Sequence, residues 1–330
     1  MKSQRLIVTL FGLTATMSAF GSMANTAGNA WDQTVASGTL DQSVQVLNDD
    51  GSYGSGGLFG KSTTTVGDVD YINLCFATAD HVLNGSSFSS VKFGNGAELT
   101  RGASSLYMQK LGGWDNNQDL AFFGLSFRLD ALQNPFQGGT YASFLDSLTT
   151  LNVQAYDYSV VDNAKVTSYG YGRSARYLVN GNGDRIGFQW DSNLGGAGAS
   201  GIHRNVNHTT LSFNTYSEGP YDYEAIKWET SDQAGEGQIN SGDSGGVISL
   251  SSDNHAWVGV NTYAVGDPYR SMGVDYEAFL YGSEGGGLGF TANDVDWLNT
   301  SCMEFEAVPE PASMVILGFG AILALRRKRR

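Results

Sequence analysis

The sequence predicts an all-β protein with one helix near its C-terminal end. Short runs rich in Val, Ile, Phe, Tyr and Trp recur along the chain, and clusters of Gly, Asn, Asp and Ser separate them, as in strands joined by turns. The clearest runs are DYINLCFATA, DLAFFGLSF, HTTLSFNTY, YEAIKWET and HAWVGVNTYAV. They do not alternate with long amphipathic helical patterns, so a parallel α/β fold is disfavoured and a barrel or sandwich is expected.

The predicted helix lies in the stretch FTANDVDWLNTSCMEF. Thr291 is followed three residues later by Asp294, a spacing typical of the first turn of a helix. Val295, Trp297 and Leu298 supply apolar contacts. We therefore expect this helix to dock on the strands.

The N-terminal 24 residues have the three parts of a secretory signal peptide. A basic tip is followed by an apolar run and by small residues, with the expected cut after Ala24. A permanent N-terminal membrane anchor is the alternative interpretation. Residues 25–52 are polar and weakly patterned, so we interpret them as an N-terminal arm or propeptide.

The C-terminal residues 303–330 contain a sorting-signal pattern. The sequence Val-Pro-Glu-Pro at 308–311 precedes a short apolar transmembrane segment at 312–325 and five basic residues at 326–330. This ending resembles the PEP-CTERM signal of Gram-negative bacteria. The resemblance implies transient anchoring in the inner membrane, removal of the signal by an exosortase-type processing enzyme, and release to the cell surface or outside. A permanent anchor is the alternative, although the segment is short for a membrane span of about 20 residues.

The charge between the two signals excludes several classes of partner. Residues 25–308 carry 12 basic and 32 acidic residues, a net charge of −20. Such a surface repels nucleic acids and anionic membranes and favours solubility outside the cell. We therefore expect no nucleic-acid partner.

No metal or other cofactor is expected from the sequence. There is no CxxC pair, and the four histidines are scattered. Asn180, Asn182 and Asp184 alternate as in a calcium loop, but the distal Glu is missing and a plain hairpin turn is favoured. The two cysteines, Cys75 and Cys302, can form only one disulfide in an oxidising compartment, and two unpaired thiols are the alternative.

Ser244 is the candidate nucleophile, in the glycine-rich stretch GQINSGDSGGVISL. A serine hydroxyl must lose a proton during attack, which requires a base oriented by a third group. His81 ends a buried-looking strand in LCFATADHVLNG, where its side chain would be held rigidly. His203 and His208 lie in a polar stretch and are expected to be solvated.

The third group should be a buried carboxylate that accepts a hydrogen bond from the imidazole. Asp119 follows a polar turn and precedes the apolar run of WDNNQDLAFFGLSF. Asp115 lies in the turn itself and is the weaker candidate. His81, Asp119 and Ser244 then occur in the order His, Asp, Ser.

Several segments together resemble the trypsin-like serine proteases. ATADHV, NQDLAFFGL and SGDSGGVI resemble the segments around that family's three catalytic residues, and VTSYGYG, VGVNTYA and VDWLNTSC resemble three further blocks. They define a protease domain over residues 53–302. The resemblance implies two antiparallel six-stranded β-barrels, with a boundary near 131–150 and a C-terminal helix. It also implies a secreted, monomeric serine endopeptidase acting on protein or peptide substrates.

The same resemblance assigns roles to individual residues. His81 is the general base, Asp119 orients it, and Ser244 forms the acyl-enzyme, while the backbone N–H groups of Gly242 and Ser244 form the oxyanion hole. Gln238 shapes the base of the primary pocket, and its neutral amide argues against a preference for Arg or Lys. The residues expected to line the rest of the cleft are Thr262, Tyr263 and Ala264.

Two departures from the family leave questions open. The usual Ile-Val-Gly-Gly start is absent, so either another N-terminus pairs with Asp243 or Asp243 has a different partner. Asp80 stands where Ala is usual. Beside the base it could perturb His81, or on an alternating strand it could point away from it, and the second interpretation is favoured. The alternative functions are a catalytically inactive surface or matrix-binding protein with the same fold, and an esterase without peptidase action.

Overall fold

The computed structural model describes eleven segments of the chain, residues 40–66, 68–94, 96–101, 106–128, 148–157, 165–172, 176–190, 203–231, 237–265, 267–271 and 274–306. The predicted signal peptide, most of the N-terminal arm, most of the expected boundary near 131–150 and the apolar segment 312–325 lie outside them. Within these segments, no helix has the length and apolar character needed to cross a membrane.

Strands make up most of the described chain. In chain order the elements are β1 Ser43–Asn48, β2 Tyr53–Val66, β3 Val69–Thr78, α1 Asp80–Leu83, β4 Phe88–Phe93, β5 Glu98–Thr100, β6 Leu106–Lys110, β7 Ala121–Arg128, β8 Asn152–Val153, β9 Lys165–Gly170, β10 Arg176–Val179, β11 Arg185–Trp190, β12 Arg204–Glu218, β13 Tyr221–Glu229, β14 Val247–Leu250, β15 Asp253–Ala264, β16 Asp267–Ser271, β17 Val274–Leu280, β18 Glu284–Gly289 and α2 Ala292–Glu306.

The strands form three sheets. The first has seven antiparallel strands in the order β5-β4-β1-β2-β3-β7-β6. The second has the order β14-β9-β12-β13-β18-β15-β8. Strand β14 also pairs with β15, so each of the six antiparallel strands from β14 to β15 is hydrogen-bonded to two neighbours. A smaller sheet contains β10, β11, β17 and β16.

These sheets confirm the all-β class and the C-terminal helix. The strands carry the β-branched and aromatic runs seen in the sequence, and the sheets are curled. The finer prediction of two six-stranded barrels is not confirmed, because the first sheet runs from β5 to β6 and the described residues show no pairing between these two end strands.

Strands β3 and β7 lie between two hydrophobic cores. Leu74 and Phe76 of β3 belong to a core within the first sheet, whereas the alternate residues Cys75 and Ala77 face a second core shared with the second sheet and α2. In β7, Phe123 stacks on Phe76 with ring centroids 4.9 Å apart. Burial on both faces fixes the ends of these two strands, which is where the candidate site residues lie.

Helix α2 begins at the predicted cap and is bonded to the first sheet. The Thr291 N–H and hydroxyl donate to the Asp294 carboxylate, and the Asp294 N–H donates back to the Thr291 hydroxyl, a reciprocal cap. Cys302 forms a disulfide with Cys75 of β3, with Cα atoms 5.7 Å apart. Phe305 packs edge-on against Phe122 of β7. The helix is thus tied to the two strands that support the candidate site.

The turn at Asn180 is the hairpin favoured by the sequence. It joins β10 to β11, and the Asn180 side-chain oxygen accepts the backbone N–H groups of Asn182 and Asp184. The Asn180 amide nitrogen donates to the Asp184 carboxylate. The polar side chains of this turn are therefore used in closing the hairpin.

The expectation that His203 and His208 are solvated is wrong. Their residues are 8% and 2% exposed, and burial lowers the pKa of both imidazoles to about 3. On β12, His208 points inward together with Val206 and Thr210, since alternate strand residues share a face. Its ring stacks on Trp228 at 4.0 Å, and its two nitrogens have no hydrogen-bond partner among the described residues. It therefore acts as a neutral aromatic core residue.

This burial predicts a loss of stability in acid. An unfolded histidine titrates near 6.5, so the unfolded chain binds more protons as pH falls from about 6.5 towards 3, and stability decreases over that range. At pH 5 one such group costs about 2 kcal/mol. His208→Phe keeps an aromatic ring on Trp228 and cannot be protonated. Between pH 7 and 5, its free energy of unfolding in urea should therefore fall by about 2 kcal/mol less than that of the wild type.

His255→Phe provides the control for this measurement, because His255 is exposed. This variant should follow the wild type at both pH values. An equal fall in stability for His208→Phe and the wild type would contradict the prediction.

Candidate active site

Strand pairing brings His81 and Asp119 together. Thr78 at the end of β3 is paired with Ala121 at the start of β7. His81 lies three residues after Thr78, and Asp119 lies two residues before Ala121. Because both residues continue from the same end of one antiparallel pair, two stretches far apart in sequence converge on one position.

The His81 ring and the Asp119 carboxylate form a close pair. The His81 Nδ1 lies 2.8 Å from Asp119 Oδ2 and 3.0 Å from Oδ1, and the His81 backbone N–H donates to Oδ1 at 3.0 Å. The Asp119 side chain is 4% exposed, whereas that of His81 is 37% exposed. Asp119 therefore fixes both the backbone and the ring of His81, and the ring remains accessible to a reactant.

The electrostatic surroundings favour the protonated imidazole. Burial lowers the pKa of His81, but the hydrogen bond and charge of Asp119, together with the charge of Asp80, outweigh this effect and raise the pKa above its ordinary value. A raised pKa makes Nε2 a stronger proton acceptor once the ring is neutral. This arrangement is suited to general-base chemistry.

The local backbone at His81 differs from the sequence prediction. Strand β3 ends at Thr78, and His81 lies in the short helix α1 and not on the strand end. The Thr78 hydroxyl donates to the Ser55 carbonyl at the point where the strand stops. Asp80 opens α1 and is buried, so the strand alternation used to predict its direction does not apply.

The loop of Ser244 packs against the end of β3 that leads to His81. A Cβ on Gly245 would lie 2.7 Å from the Ala79 nitrogen, and a Cβ on Gly54 would lie 2.7 Å from Val82 and 3.1 Å from the Ser244 carbonyl oxygen. Only glycine permits such close approach of backbones. The structure thus places the Ser244 loop beside the segment that carries His81, and Ser244 is half-buried there.

Gly242 adopts a conformation that favours glycine. Its φ is +94°, in the region that L side chains rarely adopt. A Cβ there would also lie 3.1 Å from the Gly172 Cα and would overlap the Tyr53 ring. The loop therefore turns at Gly242 without a side chain, as an oxyanion-binding backbone requires.

Ser55 of β2 holds this loop from the first sheet, and sequence reasoning missed it. Its residue is fully buried, its N–H donates to the Ser244 carbonyl at 2.8 Å, and its hydroxyl donates to the Gly242 carbonyl at 2.7 Å. The same hydroxyl accepts the Tyr171 N–H at 2.9 Å. The only local signal is a small polar residue within YGSGG, which does not indicate a partner 187 residues away.

Asn261 of β15 holds the loop from the second sheet and was also missed. Its residue is fully buried, and its carbonyl accepts the Gly245 N–H at 2.7 Å. Its side-chain amide donates to the carbonyls of Asp243 and Tyr169. The Ser244 loop is thus fixed from both sheets.

The structure gives Asp243 backbone partners. Its carboxylate accepts the Gly172 N–H at 2.8 Å and the Asn240 N–H at 3.0 Å, and the residue is 1% exposed. A Cβ on Gly172 would lie 2.5 Å from the Asp243 carboxyl carbon, so glycine is needed for this contact. Each oxygen of the Asp243 carboxylate therefore accepts a hydrogen bond from a backbone N–H group within the domain.

A pocket of about 140 Å³ adjoins Ser244. Thr262, Tyr263 and Ala264 line it. The described residues that complete its lining are Ile239, Asn240, Ser241 and Phe279. None of these side chains carries a charge.

Gln238 lies buried and is not part of this lining. Its side-chain oxygen accepts hydrogen bonds from the Trp228 indole and the Ile239 N–H, and its amide nitrogen donates to the Thr230 hydroxyl. The residue is fully buried. The role of Gln238 at the base of the primary pocket stays a prediction. In the structure, its hydrogen bonds join Trp228 and Thr230 to Ile239, which lines the pocket.

Comparison with known protein families identifies the C-terminal end. The PEP-CTERM protein-sorting motif matches residues 307–330. This motif indicates export and sorting to the cell surface in Gram-negative bacteria and recognition by an exosortase-type processing enzyme. No curated protein matches the chain.

Proposed function

We propose that the exported protein is a serine endopeptidase with a trypsin-like fold of two six-stranded barrels. The observation that carries this proposal is the close pair of His81 and buried Asp119 beside the glycine-rich loop of Ser244. Those three residue types in this arrangement form the machinery of acyl transfer. The order of the residues along the chain agrees with the same family.

In the proposed reaction, the Ser244 Oγ attacks the carbonyl carbon of a peptide bond while His81 Nε2 takes the hydroxyl proton. The carbonyl oxygen becomes negatively charged and is stabilised by the N–H groups of Gly242 and Ser244. His81 then gives its proton to the departing amine, leaving an acyl-enzyme. Water then attacks the acyl carbon while His81 Nε2 takes its proton, and the bond from that carbon to the Ser244 Oγ breaks as His81 returns the proton to the Oγ and the acid is released. Asp119 stabilises the imidazolium in both steps.

The pocket beside Ser244 supports an uncharged substrate residue at the cleavage site. Burying an unpaired charge among uncharged side chains is costly, so Arg, Lys, Asp and Glu should be disfavoured. Thr262, Tyr263 and Ala264 form the strand end along which a substrate backbone would lie. We therefore infer a preference for uncharged side chains of moderate size.

Labelling with a fluorophosphonate tests the proposal. An activated serine displaces fluoride from the probe and forms a stable phosphonate ester. Mass spectrometry should place the label on Ser244 and not on Ser241, which lines the same pocket. Heat-unfolded protein should remain unlabelled, because the reaction needs the assembled base.

A folded, processed protein that takes no label and cleaves no member of a peptide library would contradict the proposal. That result would favour the inactive surface or matrix-binding protein. Labelling together with cleavage of esters but not of peptides would favour the esterase.

A further inference from the structure

Asp80 is a buried carboxylate beside the candidate base, at a position the proposed mechanism does not use. Its residue is 3% exposed. The Gly112 N–H donates to its Oδ1 at 2.9 Å, and the Tyr221 hydroxyl and Asn84 amide donate to its Oδ2 at 2.9 and 3.1 Å. These three donors are all neutral. Asp80 is therefore held by hydrogen bonds from the end of its own helix α1, from the loop after β6 and from β13.

Asp80 connects His81 to the loop that carries Asp119. Gly112 begins this loop, and its carbonyl accepts the Gln118 N–H at 3.0 Å while Gly113 donates to the Leu120 carbonyl at 2.8 Å. The loop is thus closed on itself around Asp119. Asp80 directly precedes His81 in the chain. Because Asp80 accepts the Gly112 N–H, it connects this loop to His81.

The second sheet reaches the same loop through the start of β13. Tyr221 donates to Asp80, and the neighbouring Asp222 N–H donates to the Asn117 carbonyl at 2.8 Å. Burial and the carboxylates of Asp80 and Asp119 raise the pKa of Tyr221, so its hydroxyl stays protonated and available as a donor. One hairpin of the second sheet thus supports the His81–Asp119 pair.

The charges that act on His81 come from two elements. Asp119 lies before β7, and Asp80 lies on α1, with Tyr221 of β13 facing Asp80. Burial, with a smaller contribution from the charge of Asp119, raises the pKa of Asp80 above its ordinary value, and the hydrogen bonds to Tyr221, Gly112 and Asn84 limit that rise. Both carboxylates stabilise a protonated imidazole.

We propose that Asp80 is a positioning residue for the His81–Asp119 pair, which it ties to the Asp119 loop and supplies with a second negative charge. This inference rests on the proposed function for its catalytic consequence, but the coupling itself is a property of the folded protein. Together with Asp119, Asp80 thereby raises the pH above which His81 becomes a free base.

The test combines Asp80→Asn with two independent readouts. NMR titration of the His81 imidazole measures its pKa directly, and the acid limb of kcat/KM for peptide hydrolysis measures it through activity. Loss of the Asp80 charge should move both midpoints to lower pH by roughly half a pH unit to one pH unit. Tyr221→Phe removes a donor but leaves the charge, so it should move them less.

Asp222→Asn is the matched control, because Asp222 is exposed and adjoins Tyr221. It should leave both midpoints unchanged. If Asp80→Asn does not fold, Asp80→Ser removes the charge while keeping an acceptor for Gly112. An unchanged His81 titration in the folded Asp80 variant overturns the inference. A shifted titration in a protein without any hydrolytic activity would uphold it and instead overturn the proposed function.

Discussion

Replacing Ser244 with alanine is expected to lower kcat for peptide hydrolysis by about 10⁶-fold, as removal of the nucleophile does in an established serine protease. In the proposed mechanism the acyl-enzyme cannot form without the Oγ. The loop should survive the change, because Ser55 and Asn261 hold it through the carbonyls of Gly242, Asp243 and Ser244 and through the Gly245 N–H. Peptide hydrolysis assays measure the loss of kcat, and the melting temperature of the same sample shows whether the fold is retained.

Ser241→Ala is the matched control for this loss. Ser241 lies three residues away and lines the same pocket, but it has no assigned role in the chemistry. Its kcat should stay within a few-fold of the wild type. Retention of peptide hydrolysis by folded Ser244→Ala would show that another residue is the nucleophile.

The second large effect is expected for Asp119→Asn. The same change in an established Ser-His-Asp triad lowers kcat about 10⁴-fold. Asp119 accepts the His81 backbone N–H and faces Nδ1 at 2.8 Å, so an amide nitrogen in its place would present a donor to the ring. The imidazole would then carry its proton on Nε2 and could not accept one from Ser244. Initial rates over a range of substrate concentrations should show the loss in kcat.

Asp115→Asn distinguishes this effect from a general loss of charge in the loop. Asp115 belongs to the same loop, and its carboxylate accepts the Asn117 N–H near the surface. Its kcat should remain close to that of the wild type. A loss of less than tenfold in folded Asp119→Asn would contradict the assignment of Asp119 as the orienting carboxylate.

The sequence was sufficient for the class of fold and for selecting candidate site residues that lie in distinctive local patterns. Strand-like runs between turn residues indicated an all-β chain, and the spacing of Thr291 and Asp294 located the start of α2. Ser244, His81 and Asp119 stood out through their neighbours and their order. The cap and the neighbours of each candidate residue lie within a few positions of one another, whereas the order of the three candidates is read along the chain.

Features set by distant contacts could not be read in the same way. The hydroxyl of Ser55 acts on a carbonyl 187 residues away, and nothing around Ser55 specifies that partner. His208 was misjudged because its neighbours in sequence are polar, whereas its burial depends on Trp228 from the next strand. Asp80 was assigned a direction from strand alternation, although the strand ends before it at Thr78. The positions of Ser55, His208 and Asp80 thus depend on contacts with residues that are distant in the sequence.

The disulfide between Cys75 and Cys302 imposes an order on biogenesis. Its cysteines are 227 residues apart, and Cys302 is among the last residues of the domain to leave the ribosome. The crosslink can therefore close only after nearly the whole domain has been translocated to an oxidising compartment. Helix α2 ends at Glu306, directly before the sorting motif at 307–330. If the crosslink has formed, cleavage within the motif would leave a new C-terminus five or more residues beyond Cys302, at the end of a helix that the disulfide attaches to the sheet.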